Sequence, residues 1–162
     1  MNISRKTLYF SGTLAAAGLT VALLFIFVIG GNGTAAGEIV VRPVEYDLGD
    51  VDYGGGIVKR EFSLENHGES VLKLNSIKTS CGCTKAQLVY TGKRSKNFGM
   101  DPNNLLWSEE IQPKDQATLE VFYDPKTHGT EGVGPFRRSI WIESSDPGNE
   151  NVEVNIKGTV VR

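Results

Sequence analysis

The sequence is short of the residues from which metal centres and catalytic triads are built. Its 162 residues include two cysteines and two histidines. His67 and His128 lie in glycine-containing turns with no hydroxyl-elbow or paired-acid motif beside them, which favours solvated loop histidines. The glycine run 54–56 lacks the Lys-Ser/Thr pair that completes a phosphate-binding loop. The sequence therefore predicts that the protein is not an enzyme and has no catalytic residues.

Positive charge is also lacking. After Gly37 the chain carries 19 acidic and 15 basic residues, a net charge of −4 (15 − 19). A nucleic-acid-binding domain needs a basic stripe that neutralises phosphates and releases counterions, and none is evident. We therefore expect no nucleic-acid partner, and no motif indicates a small-molecule substrate.

Acidic residues are missing altogether from the first 37 residues. Within that segment the 22 residues from Leu8 to Ile29 carry no charge, enough for a helix of about 33 Å at about 1.5 Å per residue. The hydrocarbon core of a bilayer is about 30 Å thick. The sequence therefore predicts a transmembrane helix over residues 8–30, between a cytoplasmic N-terminus (1–7) and a short tether (31–38).

The distribution of basic residues sets the predicted orientation. Arg5 and Lys6 precede the apolar stretch, and no Lys or Arg follows until Arg42. The positive-inside rule therefore places the domain of residues 39–162 on the outer side of the membrane. A signal peptide cleaved near Ala36 is the alternative, but a signal core spans only about 7–15 apolar residues. We therefore expect a retained signal-anchor in the lipid bilayer.

One face of the predicted helix consists of small residues, which allow helix backbones to approach closely in a membrane. This face indicates contact with other membrane helices, although small residues are also common in simple anchors. It consists of Ser11, Ala15, Gly18 and Ala22.

Beyond the tether, short β-rich runs alternate with turn residues. Val58, Phe62 and Leu64, for example, alternate with charged or polar residues before the turn Asn66-His67-Gly68. Runs at this spacing, with no convincing helix pattern between them, predict an all-β, immunoglobulin-like two-sheet sandwich.

Five runs of the chain share a pattern with a known family: Phe62–Gly68, Leu72–Leu74, Ser80–Thr84, Ser144–Asp146 and Val154–Gly158. The Cys-Gly-Cys-Thr stretch is the most specific element. Over roughly Val44–Val160 the chain resembles the bacterial DUF1573 family of immunoglobulin-like envelope domains. The resemblance implies a bacterial envelope protein with a seven- or eight-stranded sandwich, and it implies no activity.

Cys81 and Cys83 leave three alternatives open. They could form a disulfide, which closes so small a loop that it contributes only roughly 1.6 kcal/mol; residues i and i+2 of a strand lie near the upper Cα separation limit for such a bond. They could bind Cu(I) or Zn, completed by His67, His128 or Met100. They could also serve in thiol–disulfide exchange or as a covalent attachment point.

Two aromatic residues are predicted to face outward. Strand alternation turns Phe122 and Trp141 away from the core if their apolar neighbours face inward. The sequence predicts their strands to be hairpin neighbours, so both rings would lie on one exposed face suited to partner contact. The alternative is a register shifted by one residue, which would bury both rings.

The stretch 88–112 is a further candidate contact segment. A connection of more than about 12–15 residues is usually functional or disordered, and this one carries Leu105, Leu106 and Trp107.

These features predict an accessory, structural subunit of a bacterial inner-membrane complex, of respiratory or photosynthetic type by prior alone. Its partners would be integral membrane subunits bound by the helix and the periplasmic domain, with no cofactor. The alternative is an envelope protein that binds copper or acts in thiol redox chemistry through Cys81 and Cys83. A free-standing adhesion or binding module is a third possibility.

Overall fold

The computed structural model describes residues 36–101 and 106–162 of the chain. Within these ranges, no helical segment has the length and hydropathy needed to cross a bilayer. The predicted membrane helix over 8–30, with Ser11, Ala15, Gly18 and Ala22, and the loop residue Leu105 lie outside the described residues.

Over the two described ranges the chain forms ten strands and a short 3-10 turn at Gly129–Gly132. The strands are β1 (Ile39–Arg42), β2 (Glu45–Asp52), β3 (Val58–Asn66), β4 (Leu72–Thr79), β5 (Thr84–Tyr90), β6 (Lys93–Arg94), β7 (Glu109–Ile111), β8 (Gln116–Tyr123), β9 (Gly134–Ser144) and β10 (Asn151–Val161).

The strands form two five-stranded sheets. The first sheet has the order β1-β3-β8-β5-β6 and the second the order β2-β10-β9-β4-β7. The paired strands are antiparallel except β2 and β10, which run parallel. The predicted all-β two-sheet sandwich is therefore confirmed. Eight of these strands have four or more residues, while β6 and β7 are shorter.

The core lies between the sheets and follows from the period-two alternation of the strands. Phe62 and Leu64 of β3 are fully buried, whereas Lys59 and Glu61 of the same strand point outward. A buried Leu, Ile or Phe side chain contributes roughly 1.5–3 kcal/mol relative to exposure. Other fully buried aliphatic side chains include Leu72, Leu74, Ile77, Ile111, Leu119, Ile140, Ile142 and Val154.

The predicted hairpin of the strands that carry Phe122 and Trp141 is wrong. Strand β8 pairs with β3 and β5 in the first sheet, whereas β9 pairs with β10 and β4 in the second. Consecutive strands are usually neighbours, but the connection after Tyr123 crosses from one sheet to the other. Both rings are half-buried on their strands' outer faces, as alternation predicted, but on opposite sides of the sandwich.

The described part of the stretch 88–112 contains the short strands β6 and β7. After β5 the chain turns at Thr91 and Gly92, both at positive φ (49° and 77°), and returns as β6. Phe98, 1% exposed, exchanges two backbone hydrogen bonds with Ala86. Its ring then supports Trp107, edge to face, at 4.7 Å between centroids. The segment is therefore attached to the core.

Buried polar side chains fix the start of β1. Asn66 accepts the N–H groups of Glu38 (3.1 Å) and Gly68 (3.0 Å), and Asp146 accepts that of Ile39 (3.0 Å). A Cβ on Gly68 would come within 2.2 Å of the Ala36 carbonyl oxygen, so only glycine fits there. The segment leading into β1 is thus held by side chains from two distant turns.

The charge of Asp146 contributes to this attachment. Burial raises the pKa of its carboxyl, but the N–H groups of Gly148 and Ile39 and the Asn149 side chain outweigh burial, so the pKa lies below its usual value. A carboxyl whose pKa is lowered in the folded state stabilises the fold above its unfolded pKa, about 3.9. That contribution is lost as pH falls through the lower, folded pKa.

We predict that Asp146→Asn reduces the free energy of unfolding at pH 7 by about 1.5–3 kcal/mol, because hydrogen bonds to a buried charge are lost. Its stability should also decline less steeply than the wild type's on acidification below about pH 4. Denaturant titrations at several pH values measure both effects. Asp50→Asn, at an exposed site on β2, is the control; an equal loss there would contradict the assignment.

Candidate functional site

The two cysteines lie in a tight turn between β4 and β5. The Thr84 N–H donates to the Cys81 carbonyl at 3.1 Å, which closes the turn. The Thr79 hydroxyl lies 3.1 Å from the Cys81 carbonyl oxygen and 2.9 Å from that of Thr84. The turn therefore joins the last residue of β4 to the first residue of β5 and crosses between the sheets.

Cys81 and Cys83 form a disulfide with a Cα–Cα separation of 5.2 Å. The expectation of a separation near the upper limit is wrong, because the two residues lie in a turn and not in an extended strand. Their separation is well inside the usual range of about 4.4–6.8 Å. Among the three alternatives for the cysteines, the structure thus contains the disulfide.

His128 lies directly beside the disulfide. Its Nε2 atom is 2.9 Å from the Cys81 Sγ atom, although 47 residues separate the two in the chain. The connection between β8 and β9 crosses between the sheets at the same end of the sandwich as the cysteine turn. The Asp124 N–H donates to the Cys83 carbonyl at 2.9 Å and ties the two connections together.

Arg138 contacts the other sulfur. Its Nε–H donates to the Cys83 Sγ atom at 3.2 Å, and its guanidinium lies 5.8 Å from the ring centroid of Phe136. The Phe136 ring stacks on Tyr123 at 4.2 Å, joining β8 and β9 next to the site. The strand β9 therefore places a permanent positive charge at Cys83.

The two sulfur atoms have different surroundings. Cys81 is 9% exposed and Cys83 is 2% exposed, so Cys81 is the more accessible. The Cys83 N–H donates to the Cys81 Sγ atom at 3.2 Å, and the Thr84 hydroxyl lies 3.6 Å from the Cys83 Sγ atom. An imidazole therefore adjoins one sulfur and a guanidinium adjoins the other.

The same side chains offer a compact donor set for a metal ion. The two Sγ atoms and one ring nitrogen of His128 all lie within 4.8 Å of one another. Met100 is also nearby: its Sδ atom is 3.9 Å from the position that a Cβ on Gly82 would take. His67 is not part of this group, since it lies at the opposite end of β8 and contacts Glu65 Oε2 at 2.7 Å.

Arg138 is the side chain of the candidate site that the sequence analysis missed, and His128 was predicted only as one of several possible ligands. The sequence signal for Arg138 was weak, because Arg138 is one of two adjacent basic residues near the start of β9. The other, Arg137, pairs with Glu45 of β2.

Phe122 and Trp141, two of the residues predicted to contact partners, do not share one surface. Trp141 donates from Nε1 to Glu153 Oε2 at 3.1 Å, and Lys78 Nζ lies 5.4 Å from its ring centroid. Phe122 lies on the opposite sheet. Leu106 is fully exposed, whereas the adjacent Trp107 packs on Phe98 and so also anchors its own loop. The role of these residues in binding stays a prediction.

The two-sheet sandwich resembles the PapD-like, immunoglobulin-like fold of solved structures. A Porphyromonas gingivalis W83 protein of unknown function is 20% identical, with a TM-score of 0.60 over 80% of this chain and 49% of that one. A PapD-like domain of human CEP192 is 12% identical, with a TM-score of 0.50 over 78% of this chain and 87% of that one. At these identities the likeness concerns the fold. This chain spans about half the length of the P. gingivalis protein.

Residues 39–95 match the family described as "Protein of unknown function (DUF1573)". The match confirms the predicted resemblance over this stretch, which includes the Cys-Gly-Cys-Thr turn. His128 and Arg138 lie beyond the matched residues. A comparison with curated proteins found no match.

We predict that the cysteines are not required for folding. Replacing both with Ser should reduce the free energy of unfolding by no more than about 2 kcal/mol, since a loop this small restricts the unfolded chain little. Denaturant unfolding followed by circular dichroism measures the change. Loss of the cooperative transition in the double variant would contradict this and indicate that folding depends on the site.

Proposed function

We propose that the protein is a thiol–disulfide redox module of the bacterial envelope that reacts through Cys81 and Cys83. The observation that carries the proposal is the placement of His128 Nε2 at Cys81 Sγ (2.9 Å) and Arg138 Nε at Cys83 Sγ (3.2 Å). A disulfide that only closes a turn needs neither neighbour. The proposed retained membrane anchor would hold the domain in the oxidising periplasm, where disulfides persist.

The reaction is an exchange with a partner dithiol. A partner thiolate attacks the more accessible Cys81 sulfur, and the bond between the two domain sulfurs breaks. The electron pair of that bond goes to Cys83, whose thiolate is stabilised by the Arg138 guanidinium. The His128 imidazole lies 2.9 Å from the sulfur that the partner attacks.

A second partner thiolate then attacks the mixed disulfide at the partner's own sulfur and releases Cys81. The net reaction moves two electrons and two protons from the partner dithiol to the domain, leaving a disulfide in the partner and two thiols at Cys81 and Cys83. The reverse reaction oxidises the domain. In this proposal the module is a reactant that stores two electrons.

We predict that Arg138→Met slows reduction of the disulfide by dithiothreitol about ten-fold, because a hydrogen bond to the charged leaving sulfur is lost. Alkylation of released thiols followed by mass spectrometry gives the rate. Arg137→Met is the matched control, since it removes the same charge from the neighbouring residue, which pairs with Glu45. Equal rates for Arg138→Met and the wild type would overturn the proposed role of the guanidinium.

A second candidate function is the accessory subunit of an inner-membrane complex. The observation that favours it is Leu106, which is fully exposed beside Trp107, a ring held in place by Phe98. An exposed leucine on an anchored loop is suited to contact with another protein. In this proposal the small-residue helix face binds within the membrane and Leu106 and Trp141 bind outside it.

For this candidate we predict that Leu106→Asp and Gly18→Leu reduce co-purification of membrane subunits from the native host. The first variant places a charge in an apolar contact, and the second separates closely packed helices. Leu106→Asp leaves the fold intact because this side chain is fully exposed. Glu143→Ala, at an exposed position on β9, is the control. Unchanged co-purification in both variants, or a wild type that brings no partner, would exclude the subunit function.

A further inference from the structure

We infer that the reduced site binds one Cu(I) ion through Cys81, Cys83 and His128, so that disulfide formation and metal binding exclude each other. This inference rests on the proposed function, because the ligands become available only when the disulfide is reduced. The inference identifies Cu(I) as the ligand of the proposed redox site. Three donor atoms within 4.8 Å of one another can converge on a single ion with small side-chain movements.

The donor types select a soft cation. Two thiolates and an imidazole suit Cu(I) and Zn(II), whereas Mg²⁺ and Ca²⁺ prefer oxygen ligands. Within the described residues, no third cysteine or second histidine joins this group. A structural zinc site takes four protein ligands, and this donor set supplies three. The number of ligands therefore does not match a structural zinc site.

The net charge of the occupied site also favours Cu(I) over Zn(II). Two thiolates carry a charge of −2, and the Arg138 guanidinium at Cys83 contributes +1. A Cu(I) ion brings this group to zero, whereas Zn(II) would leave a net charge of +1 at two sulfurs that are only 9% and 2% exposed. Placing uncompensated charge in a buried site is costly, so the singly charged ion fits better.

Neighbouring groups would hold the sulfur ligands in position. The Cys83 N–H donates to Cys81 Sγ at 3.2 Å, and Arg138 donates to Cys83 Sγ at the same distance. Such outer hydrogen bonds orient metal ligands and affect affinity by about 10–100-fold. His128 lies on the exposed connection between β8 and β9 and provides an accessible entry side.

The binding step is balanced without electron transfer. The two thiols release two protons and their sulfurs bind Cu(I), which keeps its oxidation state. The disulfide has no thiolate to offer, so it must first accept two electrons from a dithiol, as in the exchange reaction. Oxidation of the site by a partner disulfide would correspondingly release the ion.

The test is a titration of the reduced full chain with Cu(I) under anaerobic conditions, with bicinchoninate as the competing coloured chelator. We expect one Cu(I) per chain, none for the disulfide form, and no displacement by excess Zn(II). His128→Ala should weaken binding about ten-fold or more. His67→Ala removes the other histidine, which contacts Glu65 instead, and should leave affinity unchanged.

X-ray absorption of the wild-type Cu(I) complex provides a measurement that needs no variant. We expect a first shell of two sulfurs and one nitrogen. A shell of sulfur alone, uptake by the disulfide form, or equal affinities of the two histidine variants would overturn the inference.

Absence of Cu(I) uptake together with fast, Arg138-dependent reduction would reject the metal site and keep the redox module. Uptake with Arg138-independent reduction would reject the proposed exchange mechanism and keep the metal site.

Discussion

Two chain crossings at one end of the sandwich are the constraint on which the candidate site depends. The β4–β5 turn and the β8–β9 connection each leave one sheet and enter the other there, and a backbone hydrogen bond from Asp124 to the Cys83 carbonyl joins them. Because β8 pairs with β5 and β9 pairs with β4, the two crossings cannot separate without breaking both sheets. The contact between Cys81 and His128 is thus imposed by the topology of the core.

The segment that leads into β1 is held by hydrogen bonds to buried polar side chains. Asn66 and Asp146 accept backbone N–H groups from the segment that enters the domain. Buried acceptors of this kind are costly to leave unpaired, so the entry segment has a defined path. The domain therefore has one end where its N-terminal segment is fixed and a separate site where reactive side chains meet, and changes at one should have little effect on the other.

The fold was predictable from the sequence to the level of strands and faces, but not of strand neighbours. Period-two alternation placed Phe122 and Trp141 outward because side-chain direction is a local property of a strand. The alternation pattern does not predict that β8 and β9 belong to different sheets, since that depends on the path of the connecting loop. Likewise, Phe98 stands alone in a polar stretch, and only its pairing with Ala86 shows that it completes the core.

The candidate site was predictable only in part, because the sequence shows its local motif but not the distant side chains that contact it. The Cys-Gly-Cys spacing predicts a site at the two sulfurs. The same spacing is typical of a disulfide, a metal site and an exchange site. The polar groups that adjoin these sulfurs, His128 and Arg138, come from 47 and 55 residues away in the chain. Both lie outside residues 39–95, the part that matches the family. A domain with the same turn but without an imidazole and a guanidinium at its sulfurs would keep the disulfide and lose the means to stabilise either a leaving thiolate or a bound cation. The proposed chemistry of the turn therefore depends on the β8–β9 crossing as much as on the cysteine motif itself.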